Sequence, residues 1–178
     1  MLSTTQQVGF KVAPIFLTAE GEELDYVLFS AYEAGINNGK LTSIANSKPV
    51  SDKSIGDMES AATARGAGWH IENMAAVSAN QMLQIVEYGS MNGQNSLELG
   101  ISNIVGSYNK NCSSLTGSTS SLGNTTGHAD STVNDIEGAT TTYTDNGRRA
   151  ISYRGLENPW GNIWHMIGGT NIFGNGTS

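Results

Sequence analysis

The groups able to do acid–base, nucleophilic or metal chemistry are few. The chain has three histidines, His70, His128 and His165, a single cysteine, Cys112, and sixteen Asp or Glu. No two histidines stand four apart on a helix-like stretch, the spacing that places two imidazoles on one metal. No His, Ser and carboxylate share a pattern suggesting a hydrolase triad. His70 and His165 each adjoin a tryptophan and read as structural. Cys112 lies in a Ser/Thr-rich stretch with no helix start to activate it, so it reads as a bystander thiol. The glycines at Gly66 and Gly68 lack the third glycine and helix start of a phosphate-cradling loop. Trp160 and Trp164 stand four apart and could stack on a sugar, but Ile163 and Ile167 between and beyond them favour a core role. Arg148 and Arg149, after the turn-forming Asp145-Asn146-Gly147, read as an exposed turn. With Tyr108 and Tyr143 they make up the candidate binding residues.

Composition narrows the classes further. Lys and Arg number 9 against 16 Asp and Glu, a formal charge of −7, which excludes the basic face that nucleic-acid binding needs. Only 14% of the 178 residues are charged, against about 25% in an ordinary domain. Gly, Ser, Thr and Asn together fill 75 positions, so solubility comes from neutral polar groups. One cysteine makes no internal disulfide and no cysteine-based zinc site. No apolar run approaches the length of a membrane span, and Met1 to Gln7 lacks the pattern of a signal peptide. The Asn-x-Ser/Thr sequons at Asn111, Asn124 and Asn175 are expected by chance in such a composition.

Several elements can be read from periodicity and punctuation. Val8, Phe10 and Val12 alternate and lead to Ile15-Phe16-Leu17, predicting a strand broken at Pro14. Tyr26-Val27-Leu28-Phe29 predicts a second, buried strand running to Gly35. Residues 36–53 read as loop, with a turn at Asn37-Asn38-Gly39. A helix is expected from Ser54 to Arg65, stopped by Gly66. A second is expected over 79–88, with Ser78 and Gln81 as a capping box, Val77 and Met82 as a staple, and Gly89 as its end. Gly66 and Gly68 imply positive φ or close backbone packing between the helices. In residues 106–147, Gly, Ser, Thr and Asn supply 27 of 42 positions. Such a segment reads as a polar insert, exposed and forming the main contact region.

Three blocks carry a resemblance. They are Phe29-Ser30-Ala31-Tyr32-Glu33-Ala34; Gly68-Trp69-His70-Ile71-Glu72-Asn73 followed by Ser78-Ala79-Asn80-Gln81-Met82; and Gly161-Asn162-Ile163-Trp164-His165-Met166. In this order they resemble the C-type-lectin-like fold of the formylglycine-generating-enzyme type, whose third block runs Gly-Asn-Val-Trp-Glu-Trp. The longer stretch from Tyr153 to Trp164 is closer to the version found in tail and fibre proteins of tailed bacteriophages, some of them targets of diversity-generating retroelements. Family members continue past the tryptophan block into further strands, whereas this chain stops soon after Trp164. Either the fold is completed differently, or the chain is a fragment, or another chain supplies the missing strands.

The resemblance covers about residues 24–173, with no motif matched in 106–147, and implies an α+β fold. The chain is expected to be one domain over 1–178, with a small twisted antiparallel sheet, two helices, and 106–147 as a long Gly/Ser/Thr/Asn-rich insert. The enzyme branch implies a reactive cysteine pair, and Cys112 is alone, so the expectation is a non-catalytic protein. Relatives sometimes bind calcium through Asn, Asp and backbone oxygens, which makes Glu157, Asn158 and Asn162 calcium candidates. Alternatively, Asn158 starts a turn before Pro159 and Asn162 bonds backbone. The function expected is a virion binding domain on a phage tail or fibre, contacting a glycan or protein of the bacterial surface. Trimeric assembly, as in many fibres, would add avidity. The alternative is a structural fibre or decoration module that binds other virion proteins.

Overall fold

The computed structural model describes residues 5, 7–102, 113–129, 147 and 149–170. It is a mixed α and β structure with three helices and two small antiparallel sheets. The first sheet is a hairpin of β1 (Gly35–Asn37) and β2 (Lys40–Thr42), with Ile36 opposite Leu41. Its two-residue turn places Asn38 at φ 49 and Gly39 at φ 73, the left-handed pair that matches the twist of hairpin strands. The turn expected at Asn37-Asn38-Gly39 is present, inside a hairpin where only loop was expected.

Helix α1 (Ile55–Thr63) starts at Ser54, whose side chain accepts from the Asp57 amide while Asp57 accepts from the Ser54 amide. That reciprocal cap satisfies two of the donors a helix start leaves free. Beyond the helix, Arg65 donates to the Leu41 carbonyl at 2.7 Å, tying the α1 end to β2. Gly66 and Gly68 both have positive φ, 138 and 81.

Helix α2 spans Met74–Tyr88 and begins five residues before the expected start. Asn73 is the cap, its side chain accepting from the Ala76 amide at 3.0 Å. The Ser78–Gln81 box is therefore interior: an earlier Asx cap followed by good helix formers overrides a later motif. The stop is as expected, with Gly89 left-handed at φ 64. Helix α3 (Gly93–Ser96) is a single turn.

The second sheet contains β3 (Gly127–His128), β4 (Ile151–Tyr153) and β5 (Leu156–Glu157), with β4 in the middle. A Tyr153 hydroxyl donates to Glu87 at 2.9 Å and Arg154 reaches the same carboxylate, joining α2 to the β4–β5 turn.

Neither expected N-terminal strand forms. Pro14–Phe16 is one 3-10 turn, and Leu17 pairs with Glu23 only as an isolated bridge. Residues 26–34 run without a ladder, leaving Tyr26 71% and Leu28 81% exposed. A strand needs a neighbour to take its backbone bonds, and along 26–34 the described residues offer isolated ones, such as the Glu157 amide to the Ala31 carbonyl.

Among the described residues one buried apolar cluster is Ile101, Ala129 and Ala150, and Ile151 and Tyr153 are buried too. Ser114, Thr116, Thr119, Ser152, Glu157 and Asn158 are also buried. The described part of the 106–147 segment is thus partly core, not an exposed insert. Its hydroxyls can be buried because each meets a partner: Thr116 reaches the Ile44 carbonyl at 2.6 Å, and its backbone exchanges bonds with Asn46 and Ser47. Residues 106–112 and 130–146, Cys112 among them, lie outside the described residues.

Candidate functional site

Two separated pieces of chain meet at one buried carboxylate, and a third reaches it through Asn162. Glu33 lies just before β1, where Tyr32 exchanges bonds with the Ser43 hydroxyl at 3.0 and 3.1 Å and the Val50 amide donates to Ala34 at 2.7 Å. Its side chain is 5% exposed. The Asn162 amide group donates to Glu33 Oε2 in a short bond, Asn158 Nδ2 approaches the same oxygen at 3.5 Å, and His165 Nε2 lies 3.4 Å from Oε1. Asn162 also accepts from the Ser114 amide at 2.7 Å and faces the Ser114 carbonyl at 3.3 Å. The first and third sequence blocks, 29–34 and 161–166, are therefore in direct contact through their polar side chains.

Local backbone geometry makes this contact possible. Gly161 adopts φ 85, and a Cβ there would stand 2.5 Å from the Ile101 carbonyl oxygen. That close approach lets the Asn162 amide donate to Ile101 at 2.8 Å. Asn158 and Asn162 are themselves left-handed, at φ 48 and 63, a region Asn enters more cheaply than most residues.

Electrostatics follow from the burial. The bond to Glu33 holds the His165 pKa above the usual imidazole value, against burial, with the Glu33 and Glu72 charges adding to it. Burial raises the Glu72 carboxyl, opposed by the charge on His165. A second carboxylate, Glu157, is saturated by donors: the Gly117 amide at 2.7 Å, and the Thr119 amide and hydroxyl at 2.8 and 2.7 Å.

These bonds bear on the calcium candidates. Calcium takes six to eight oxygen ligands, yet both Glu157 oxygens face N–H or O–H groups and the Asn162 oxygen faces an N–H. Only Asn158 Oδ1 has no partner, so the donor set of Glu157, Asn158 and Asn162 does not fit the ion. Asn158 and Asn162 instead hold the turn and bond backbone. Among the described residues, no group of three His, Cys, Asp or Glu is placed to hold a metal.

Of the candidate binding residues, Arg149 is the one within the described set; Tyr108, Tyr143 and Arg148 lie outside it. Arg149 is not in the exposed turn expected for it. Its side chain is mostly buried, 3.5 Å from Glu98, which also contacts His128. It lines a cleft of roughly 370 Å³ with Gln94, Asn95 and Leu99.

The residue that sequence reasoning misplaced is Trp164. It is 95% exposed, not core. Asn162 and His165 both bond Glu33, and of the two side chains between them Ile163 is half-buried while Trp164 is directed outward. Trp160 stays partly covered, its indole N–H donating to the Leu99 carbonyl at 3.2 Å. Trp164 stands beside an open groove of about 390 Å³, lined by Ser102, Gly161, Asn162, Ile163 and His165. No helix among the described residues is long and apolar enough to cross a membrane. Comparison with family models, with curated proteins and with solved structures finds no match.

Proposed function

We propose that the chain is a non-catalytic binding domain of a tailed-phage virion, C-type-lectin-like in type, carried on a tail or fibre and contacting the bacterial surface. The observation that carries this reading is Trp164, displayed almost entirely to solvent on a turn whose polar side chains are committed inward. Acid–base catalysis needs carboxylates and imidazoles free to meet a substrate. Here Glu33, Glu157 and the Nε2 of His165 are engaged by the fold. The contact between the Tyr32-Glu33 block and the Gly161-Asn162 block supports the family resemblance, because two of the three stretches that look alike touch.

A fluorescently labelled chain should adsorb saturably to some members of a panel of bacterial strains and slow adsorption of the matching phage. Absence of adsorption to every strain the phage infects would overturn the reading.

A second reading, a structural module binding other virion proteins or further copies of itself, is favoured by the N-terminal segment. Val8, Phe10, Val12, Leu24, Tyr26, Leu28 and Phe29 are all exposed, a run of apolar side chains that suits burial against a partner. Light scattering after size exclusion discriminates: a trimer would fit fibre assembly, and a monomer that co-sediments only with tail fractions would favour the decoration role.

A further inference from the structure

We propose that the outward face of α2 is where a second copy of this chain docks, the two helices antiparallel about a twofold axis. The contact uses a surface other than the N-terminal segment and does not depend on what the chain binds.

A surface helix normally buries its apolar stripe and turns polar residues to water. Helix α2 departs from this. On the side facing the fold, Glu87 bonds Tyr153 and Arg154, Gln84 lies against Gly93, and Ala76 is buried. Met74, Met82, Ile85 and Val86 point the other way, between 37% and 50% exposed. With Ala75 and Ser78 they recur three and four positions apart, which places them on one stripe. Single exposed apolar residues are ordinary, whereas a contiguous stripe marks an interaction surface.

Charge narrows the occupant. Residues 74–86 contain no Asp, Glu, Lys or Arg. A helix that lies on a membrane carries Lys or Arg along its polar flank, and α2 has none. A charged partner would find nothing to pair with. Two copies of a chain carrying −7 repel wherever their carboxylates meet, and on this face none meet.

Side-chain sizes then set the direction. With the axis beside residue 80, Ala75 of one copy stands opposite Ile85 of the other, Ser78 opposite Met82, and Met74 opposite Val86. Small against large is how packed helices interdigitate at about 8–10 Å between axes. A parallel pair would set Ala75 on Ala75 and Ile85 on Ile85, a gap beside a clash, and would align the helix dipoles. The contact is a strip about 22 Å long and one helix wide, well short of the roughly 800 Å² per partner in a standard interface. The pair should therefore form at micromolar concentrations rather than below them.

Sedimentation velocity of the full chain should show a reversible monomer–dimer equilibrium across the micromolar range. Ile85→Asp and Val86→Lys should each weaken it at least about tenfold, with unchanged circular dichroism spectra. Two single-cysteine chains, Ser78→Cys and Met82→Cys in a Cys112→Ser background, test the direction. Mixed and treated with a thiol crosslinker of about 8–10 Å, they should yield mostly the mixed dimer by intact mass. Like pairs are offset by about 6 Å along the axis and should crosslink more slowly. A monomer at every concentration, an oligomer indifferent to both charge variants, or like pairs crosslinking as fast as the mixed pair would each overturn the proposal. A monomer whose co-sedimentation with tail fractions is lost in Ile85→Asp would assign the face to another virion protein and overturn the second copy. None of these results bears on adsorption to cells, so the binding reading stands or falls separately.

Discussion

Removing the Asn162 side chain should be among the most damaging single changes available to this molecule. Asn162→Ala leaves the buried Ser114 N–H without an acceptor, which costs about 1–3 kcal/mol. It also strips the strongest donor from the buried Glu33 carboxylate, about 1.5–3 kcal/mol for a bond to a charged group. Alanine at φ 63 adds about 1 kcal/mol, because only Gly, Asn and Asp visit that region routinely. The three effects share partners and will not add fully, so the expected loss is about 3–5 kcal/mol. That is a large part of the roughly 5–15 kcal/mol that holds a domain folded. Urea unfolding followed by far-UV circular dichroism measures it directly, with an unchanged m value showing that the same surface is exposed. Asn162→Asp separates shape from hydrogen bonding. It keeps the acceptor for Ser114 but turns an oxygen toward Glu33, so two carboxylates share one buried site. Its deficit should be large near neutral pH and shrink as acid protonates the pair. A loss below about 1 kcal/mol for Asn162→Ala, or a pH-independent deficit for Asn162→Asp, would refute the view that this turn is held by the Glu33 network.

Glu157→Gln should destabilise by about 2–3 kcal/mol in the same assay, since one of two acceptors for the Gly117 and Thr119 donors becomes an NH₂ group; a neutral effect would mean these bonds contribute nothing net. Gly161→Ala should lower the thermal midpoint by several degrees or prevent folding, from the 2.5 Å approach to Ile101 together with positive φ, and Gly161→Asn, which tolerates the φ but not the approach, should do no better. Stability should fall as pH rises from about 5.5 to 8. The raised His165 pKa gives stability that is complete below the unfolded imidazole value and lost as pH climbs through the folded one; the raised Glu72 pKa has the same sign, but its loss begins lower, as pH rises past the unfolded carboxylate value. Urea titrations across that window check the slope, His165→Gln should flatten it, and a flat wild-type profile would contradict the pairing.

Local punctuation was the legible layer of this fold. The Asn38-Gly39 turn, the Ser54 start, the positive φ at Gly66 and Gly68 and the Gly89 stop each depend on a few neighbouring residues, and each is where the residue types require it. Helix α2 was legible in its end but not its beginning, since two capping motifs competed and the earlier won. The alternation of Val8, Phe10 and Val12 misled because period alone does not supply a partner strand. The hub around Glu33 was visible only as separate blocks. Buried Ser114, Thr116 and Thr119 look like linker composition until their acceptors, 38 to 72 residues away, are known. Trp164 had the spacing of a core residue, and its outward orientation goes with the tertiary bonds of Asn162 and His165.

The Glu33–Asn162 bond spans 129 positions of sequence and the Ser114–Asn162 bond spans 48. Closing loops of that length costs entropy before any contact repays it, so folding should be slow for a domain of this size. On the ribosome the consequence is an ordering of events. α1, α2 and the Asn38-Gly39 hairpin can form as they emerge, but the Glu33 carboxylate must stay solvated until residue 162 has been made. The nascent chain therefore passes most of its synthesis with its N-terminal half unlocked and its apolar segment 8–29 open to chaperones or to neighbouring nascent copies. Assembly with another copy could begin in that interval, before the final turn closes.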